Sequence, residues 1–291
     1  MAALEALDYR VGNRASVTAT IPMLAGQPAQ IALRIAVARE PDVETIVDDL
    51  QADGEPVETT VEPDGSSIAW FHTDGSPVIV SYSATLGLGP RRGPEKLTPA
   101  EILRFTSPSR YCPSDAMSGF AASMFGPVEP VVVEAAVDIG SGTGDGAGQP
   151  GEEEGAPAAD VIDQVAQWVN GHLSYEFGTS TGTTTAADTL LSAAGVCRDF
   201  THLTISLLRG LNIPARYVAA YAPGLEPPDF HALVEAHDGI RWRLFDATGL
   251  SDPTFAVRIA TGVDSAEVPF MTVLSGDAPV GELQVAAQLL V

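Results

Sequence analysis

The chain is poor in several things. Two cysteines, Cys112 and Cys197, occur in 291 residues, too few for a disulfide framework. Lys96 is the one lysine. No apolar run approaches the roughly 18–20 residues needed to cross a bilayer. The opening residues, Met-Ala-Ala-Leu-Glu-Ala-Leu-Asp, offer neither a basic n-region nor an apolar h-region, so the expectation is a cytoplasmic protein with reduced thiols. Positive charge is also scarce: 15 Lys+Arg stand against 38 Asp+Glu, a formal net charge of −23. A field of that sign repels nucleic-acid phosphates and anionic lipid, which argues against both as partners. It reads first as solvated surface and secondarily favours basic peptides.

What is present is enough for a sizeable core. Hydrophobic residues make up 45% and charged residues 18%, a globular and not a disordered composition. The length predicts one large domain or two ordinary ones.

Residues 1–110 read as a β-rich, sandwich-like domain. Short runs rich in β-branched and aromatic residues, at 29–38, 67–72 and 78–86, are bounded by Asp53-Gly54, Asp64-Gly65 and Asp74-Gly75 turns. Residues 111–137 form a junction. At 138–157 every second residue from Gly140 to Gly148 is glycine, and three glutamates follow. A phosphate-binding loop needs a strand leading directly into a helix at set glycine spacing, and the glutamates would repel phosphate. This tract is therefore read as a solvated insert. Residues 158–291 are expected to form an α+β core that includes the C-terminal strands. It begins with a helix over 158–171, carrying Val161, Ile162, Val165, Trp168 and Val169 on one face.

The informative stretch is 186–250. Phe200, Leu203, Leu207 and Leu208 form a helical stripe that Gly210 and Pro214 stop, which places Cys197 in the first turn after Gly195. Unpaired N–H groups and the positive end of the helix dipole favour a thiolate there. Position alone leaves open a buried cysteine acting as a small hydrophobe. Two strands, 215–221 and 230–236, follow. If Asp238-Gly239 is a two-residue hairpin loop, His231 falls opposite Asp246, Leu233 opposite Leu244 and Glu235 opposite Trp242. Cross-strand Cβ atoms about 4.5–5.5 Å apart put a carboxylate within reach of the imidazole. Cys197, His231 and Asp246 then suit the roles of nucleophile, general base and orienting anion.

Gly-Val-Cys-Arg-Asp-Phe-Thr-His-Leu (195–203), Asn-Ile-Pro-Ala-Arg-Tyr-Val (212–218), Phe-His-Ala-Leu-Val-Glu (230–235) and Leu-Phe-Asp-Ala-Thr (244–248) together resemble the core of the transglutaminase-like superfamily. More narrowly, the chain is similar to bacterial members with an N-terminal β-domain, through Pro108–Asp115 and Val257–Gly262 as well. The resemblance implies a papain-like Cys-His-Asp fold, a helix bearing Cys197 packed on an antiparallel sheet that carries His231 and Asp246. It also implies acyl transfer from a peptide or side-chain amide through a Cys197 thioester, with a protein or peptide as substrate. Leu233 stands where many relatives have tryptophan, which alters the expected cleft wall. The glycine tract is a private insertion.

Other residues rank lower. His202 and Asp199 lack further ligands at zinc spacing, so neither metal nor cofactor is expected, and His202 is read as a buttress of the core. Cys112, flanked by proline, is read as structural. Two rivals share the cleft: a catalytically silent peptide-binding module and a true protein cross-linker. An intact triad argues against the first.

Overall fold

In the computed structural model the described residues are 10–90, 93–128 and 157–290. The glycine-rich tract expected at 138–157, except its last residue, and residues 129–137 of the proposed junction therefore lie outside them. Seven strands come first: β1 (Arg14–Met23), β2 (Gln27–Leu33), β3 (Val43–Ala52), β4 (Glu55–Pro56), β5 (Thr59–Val61), β6 (Ser67–Thr73) and β7 (Val78–Leu88). Helices α1 (Pro99–Thr106), α2 (Ser114–Phe125) and α3 (Ala158–His172) follow. Then come β8 (Ser174–Tyr175), α4 (Ala186–Ser192), β9 (Ala194–Gly195) and α5 (Cys197–Gly210). The chain ends in β10 (Ala215–Tyr221), β11 (Phe230–His237), β12 (Trp242–Phe245), β13 (Val257–Gly262), β14 (Met271–Asp277) and β15 (Gln284–Leu290).

The N-terminal strands form two antiparallel sheets, ordered β15-β1-β7-β3-β4 and β14-β2-β6-β5. Alternation decides what faces inward. In β1, Ala15, Val17, Ala19, Ile21 and Met23 are buried. They share one cluster with Ala29, Ile31 and Leu33 of β2 and with Val80, Tyr82, Ala84 and Leu86 of β7. The architecture is α+β, with this β-sandwich followed by a helix-on-sheet core.

One boundary changes. The last two strands were expected within the core, but β14 pairs with β2 and β15 with β1. Each covers an edge of the N-terminal sheets that would otherwise stay open. The core therefore ends before Met271.

The core sheet is antiparallel, ordered β12-β11-β10-β13, and α5 packs on β10 and β11. Leu203, Leu207 and Leu208 of α5 share the main buried cluster with Ala232, Val234 and Ala236 of β11. Sandwich and core are tied directly. The Tyr221 hydroxyl donates to the Ile35 carbonyl at 2.8 Å, its ring stacks with Tyr82, and Arg258 pairs with Glu40 at 3.0 Å. Arg209, buried near the end of α5, knits further parts together. Its guanidinium donates to the carbonyls of Ser107, Ala215 and Val263.

The β11–β12 register corrects the sequence reading. His237 pairs with Trp242, Glu235 with Leu244 and Val234 with Phe245, so His231 and Asp246 are not cross-strand partners. The turn spans four residues, not two. Asp238 Oδ1 accepts from the N–H groups of Ile240 and Arg241, both at 2.9 Å, and holds the wider loop. A slip of two residues leaves every side chain on its original face, whereas a slip of one would have reversed them all.

Candidate active site

Cys197 is the first residue of α5, which brings it to the end of the helix where N–H groups lack intrahelical partners. The local sequence fixes this start. The Val196 N–H donates to the Asp199 carboxylate at 2.9 Å, so the third helical residue caps the first turn with its side chain. Arg198 lies 3.2 Å from the other oxygen of Asp199 and also donates to the Thr181 carbonyl at 2.7 Å. The 177–185 loop is thereby anchored beside Cys197, and the Tyr111 hydroxyl donates to its Gly182 carbonyl at 2.7 Å.

His231 lies near the start of β11, and Asp246 immediately follows β12. His231 Nε2 is 2.8 Å from Asp246 Oδ2, and both side chains are about 1% exposed. The pair forms without the expected strand register, because the chain turns after Phe245 and aims the carboxylate back at the ring. Four further hydrogen bonds lock that turn. Oδ1 accepts from the N–H and hydroxyl of Thr248 at 2.8 and 2.6 Å, and Oδ2 accepts from the N–H and hydroxyl of Ser251 at 2.9 and 2.7 Å. A carboxylate with every lone pair engaged can only accept, so the proton of the pair rests on Nε2. The buried Nδ1 has no hydrogen-bond partner of its own, and the Cys197 thiol interacts with this ring.

Electrostatics favour charge on both members. Burial works against the imidazolium of His231, but the hydrogen bond with Asp246 and the interaction with the Cys197 thiol outweigh it and raise the pKa to about 10. Burial likewise works against the Asp246 carboxylate, and the His231 bond, with Thr248 and Ser251, brings it down to about 2.

The structure thus draws Cys197, His231 and Asp246 together. Sequence reasoning missed Ser251, which no motif announced, and the roles of Thr248 and Gly195. The Asp-x-Thr spacing was a signal for Thr248, since such residues close turns on backbone N–H groups two positions on.

The two other candidates go elsewhere. His202 is fully buried, its Nε2 accepts from the Ser265 N–H at 3.2 Å, and its ring stacks on Tyr111. Burial holds its pKa down at about 3. Cys112 is completely buried, and desolvation raises its thiol to about 12.

Residues 149–247 match the family model of the transglutaminase-like superfamily. A solved structure from Cytophaga hutchinsonii, described as a candidate cysteine protease, is 28% identical with a TM-score of 0.78. It covers 96% of this chain and 91% of that one. Residues 149–247 are thus similar to the transglutaminase-like superfamily, and the fold as a whole is similar to that of the Cytophaga hutchinsonii protein. An uncharacterised Mycobacterium leprae protein is 30% identical over 124 residues, 38% of this chain and 43% of that protein. An uncharacterised Mycobacterium tuberculosis protein is 33% identical over 72 residues, 25% of this chain and 23% of the other. The matches thus span less than half the length of these curated relatives. Cys197, His231 and Asp246 all fall inside the segment matched to the transglutaminase-like superfamily.

Proposed function

We propose that this chain is a cysteine-dependent amide hydrolase or acyltransferase acting on peptide or side-chain amides, with Cys197 as nucleophile, His231 as general base and acid, and Asp246 as the orienting anion. One observation carries the reading. The 2.8 Å bond from His231 Nε2 to a saturated, buried Asp246 leaves Nδ1 as the one ring position able to exchange a proton, and the Cys197 thiol interacts with that ring. The Cytophaga hutchinsonii relative, itself described as a candidate cysteine protease, supports it.

The chemistry follows from those positions. His231 Nδ1 takes the thiol proton, and the thiolate attacks the amide carbonyl carbon, forming the C–S bond. The Cys197 N–H faces the oxygen as it gains negative charge. The tetrahedral species collapses, the C–N bond breaks, and the departing amine takes the proton back from Nδ1. Water, deprotonated by the same nitrogen, then attacks the thioester and the sulfur leaves as thiolate. Asp246 keeps the ring oriented and stabilises the imidazolium without itself taking a proton.

Water is proposed over lysine amine as acceptor. Cross-linking needs a channel whose aromatic walls admit a lysine side chain and slow water. Here Phe177 of the adjoining loop is 67% exposed, and Leu233, two residues after the histidine, is fully buried against Val218, Ala220 and Ala256 and does not line a channel as expected. The test offers the enzyme an amide it turns over together with a large excess of a primary amine. Carboxylate as the dominant product supports the reading; dominant amine adduct would make the enzyme a cross-linker.

A further inference from the structure

The segment between β8 and α4 has no part in the Cys-His-Asp chemistry, yet it is built against the nucleophile. Phe-Gly-Thr-Ser-Thr-Gly-Thr-Thr-Thr (177–185) carries no charge in a chain of net charge −23. A run so rich in glycine and hydroxyls is flexible when left alone, but here it is fastened at several points. Strand β8 pairs in parallel with β9 just before Cys197, and the Glu176 N–H extends the pairing by donating to the Gly195 carbonyl at 2.9 Å. The Arg198 guanidinium donates to the Thr181 carbonyl at 2.7 Å and to the Ser180 hydroxyl at 3.2 Å. The Tyr111 hydroxyl donates to the Gly182 carbonyl at 2.7 Å, and Thr184 Oγ1 accepts from the Thr181 N–H at 2.9 Å. Phe177 opens the segment with its ring 67% exposed, fixed edge to face on Tyr175 at 5.6 Å between centroids.

Resting on the reading of Cys197 as nucleophile, we propose that residues 177–185 are the wall on which the acyl part of the substrate lies, with Phe177 as its apolar contact and Arg198 as its positioning residue. The leaving amine takes its proton from His231, so the leaving group lies towards the core sheet. The wall stands on the other side, fastened to the first turn of α5, where the acyl part stays bonded to sulfur. An uncharged surface selects neither acidic nor basic side chains there. A ring already ordered by Tyr175, on a loop already fastened, loses little freedom when an apolar side chain packs on it. The substrate class is a peptide whose scissile carbonyl belongs to a residue with an apolar, preferably aromatic, side chain.

The p-nitrophenyl esters of N-acetyl-L-phenylalanine and N-acetylglycine test this, since they differ only in the benzyl side chain. With each, the Cys197 thiolate forms a C–S bond to the carbonyl carbon, and p-nitrophenolate leaves as the C–O bond breaks. Water then releases the N-acetyl amino acid. The ratio of kcat/KM for the two esters, divided by their reactivity ratio with free cysteine, is measured on wild type, Phe177→Ser, Arg198→Met and Tyr111→Phe. Melting temperature checks folding. Wild type should favour the phenylalanine ester by about tenfold or more. Phe177→Ser should bring the ratio close to one. Arg198→Met and Tyr111→Phe each cut one side-chain tether of the wall and should lower the same ratio through KM. Alkylation of Cys197 by iodoacetamide, which has no side chain to lay on the wall, should stay within about twofold of wild type in all three. A wild-type ratio near one, or a ratio unmoved by Phe177→Ser, overturns the proposal while leaving Cys197 as nucleophile. Equal slowing of both esters and of alkylation in Arg198→Met overturns its positioning role. Acylation of wild type no faster than that of Cys197→Ala overturns the nucleophile itself.

Discussion

Gly195 and Asp199 are packed so closely that a Cβ built on the glycine would lie 2.6 Å from the Asp199 Cβ and 2.9 Å from its Oδ2. The glycine before the cysteine is therefore needed for space. It lets the carboxylate fold back onto the Val196 N–H and fix the start of the helix that presents Cys197.

Gly195→Ala should destabilise the protein by about 1–3 kcal/mol, since real Cβ atoms do not approach so near and the backbone at the helix start must shift. In an Asp199→Gly background the same change should cost at least about 1 kcal/mol less, because the opposing Cβ is gone. Urea denaturation of the four proteins measures that coupling. Strict additivity would mean that space is not the reason for the glycine.

Asp246→Asn sets an amide NH2 where Oδ2 now accepts from His231 and Ser251. Leaving the Ser251 N–H and His231 Nε2 without an acceptor should cost about 1–3 kcal/mol. The loss should also depend on pH. The imidazole's pKa is raised from 6.5 to about 10, so its contribution is full below about pH 6.5 and fades as pH rises through about 10. The carboxylate's is lowered from 3.8 to about 2, so its contribution holds above about pH 4 and fades towards pH 2. Denaturation of both proteins should show a larger difference near pH 5.5 than near pH 10. The alkaline limb of the pH–activity profile should move to lower pH in Asp246→Asn. A pH-independent difference would exclude the charged pair.

The two thiols should behave oppositely. Cys112 is completely buried and its pKa is pushed up to about 12, whereas Cys197 is partly accessible. Titration of the native protein with a disulfide reagent should find one reactive thiol, and titration in guanidinium should find two. Two thiols reacting at similar rates in the native protein would refute this.

Much of the site was legible because its motifs are local. The glycine before a helix start, the apolar stripe of α5 and the two strands after it all lie within about sixty residues, and their periodicities point to the observed elements. The pairing of His231 with Asp246 was inferred from the wrong register and survives through side-chain parity and the turn after Phe245, which Thr248 and Ser251 hold. The Asp238 carboxylate that widens the hairpin is a side-chain effect invisible to a two-residue turn rule. Strand β1 escaped notice because three of its buried positions are Ala15, Val17 and Ala19, too small to stand out from the Ser and Thr between them. The return of β14 and β15 to the sandwich depends on pairing with strands some 240 to 280 residues earlier. No local pattern encodes it.

The central claim is that Cys197 forms a thioester with His231 as its base. The direct measurement is peptide-mapping mass spectrometry after a brief exposure to p-nitrophenyl acetate, on wild type, His231→Ala and Cys112→Ala. Acyl label on Cys197 in wild type and Cys112→Ala, and its near-absence in His231→Ala, is the expected result. Label on Cys112, or equal labelling of Cys197 with and without His231, would contradict it.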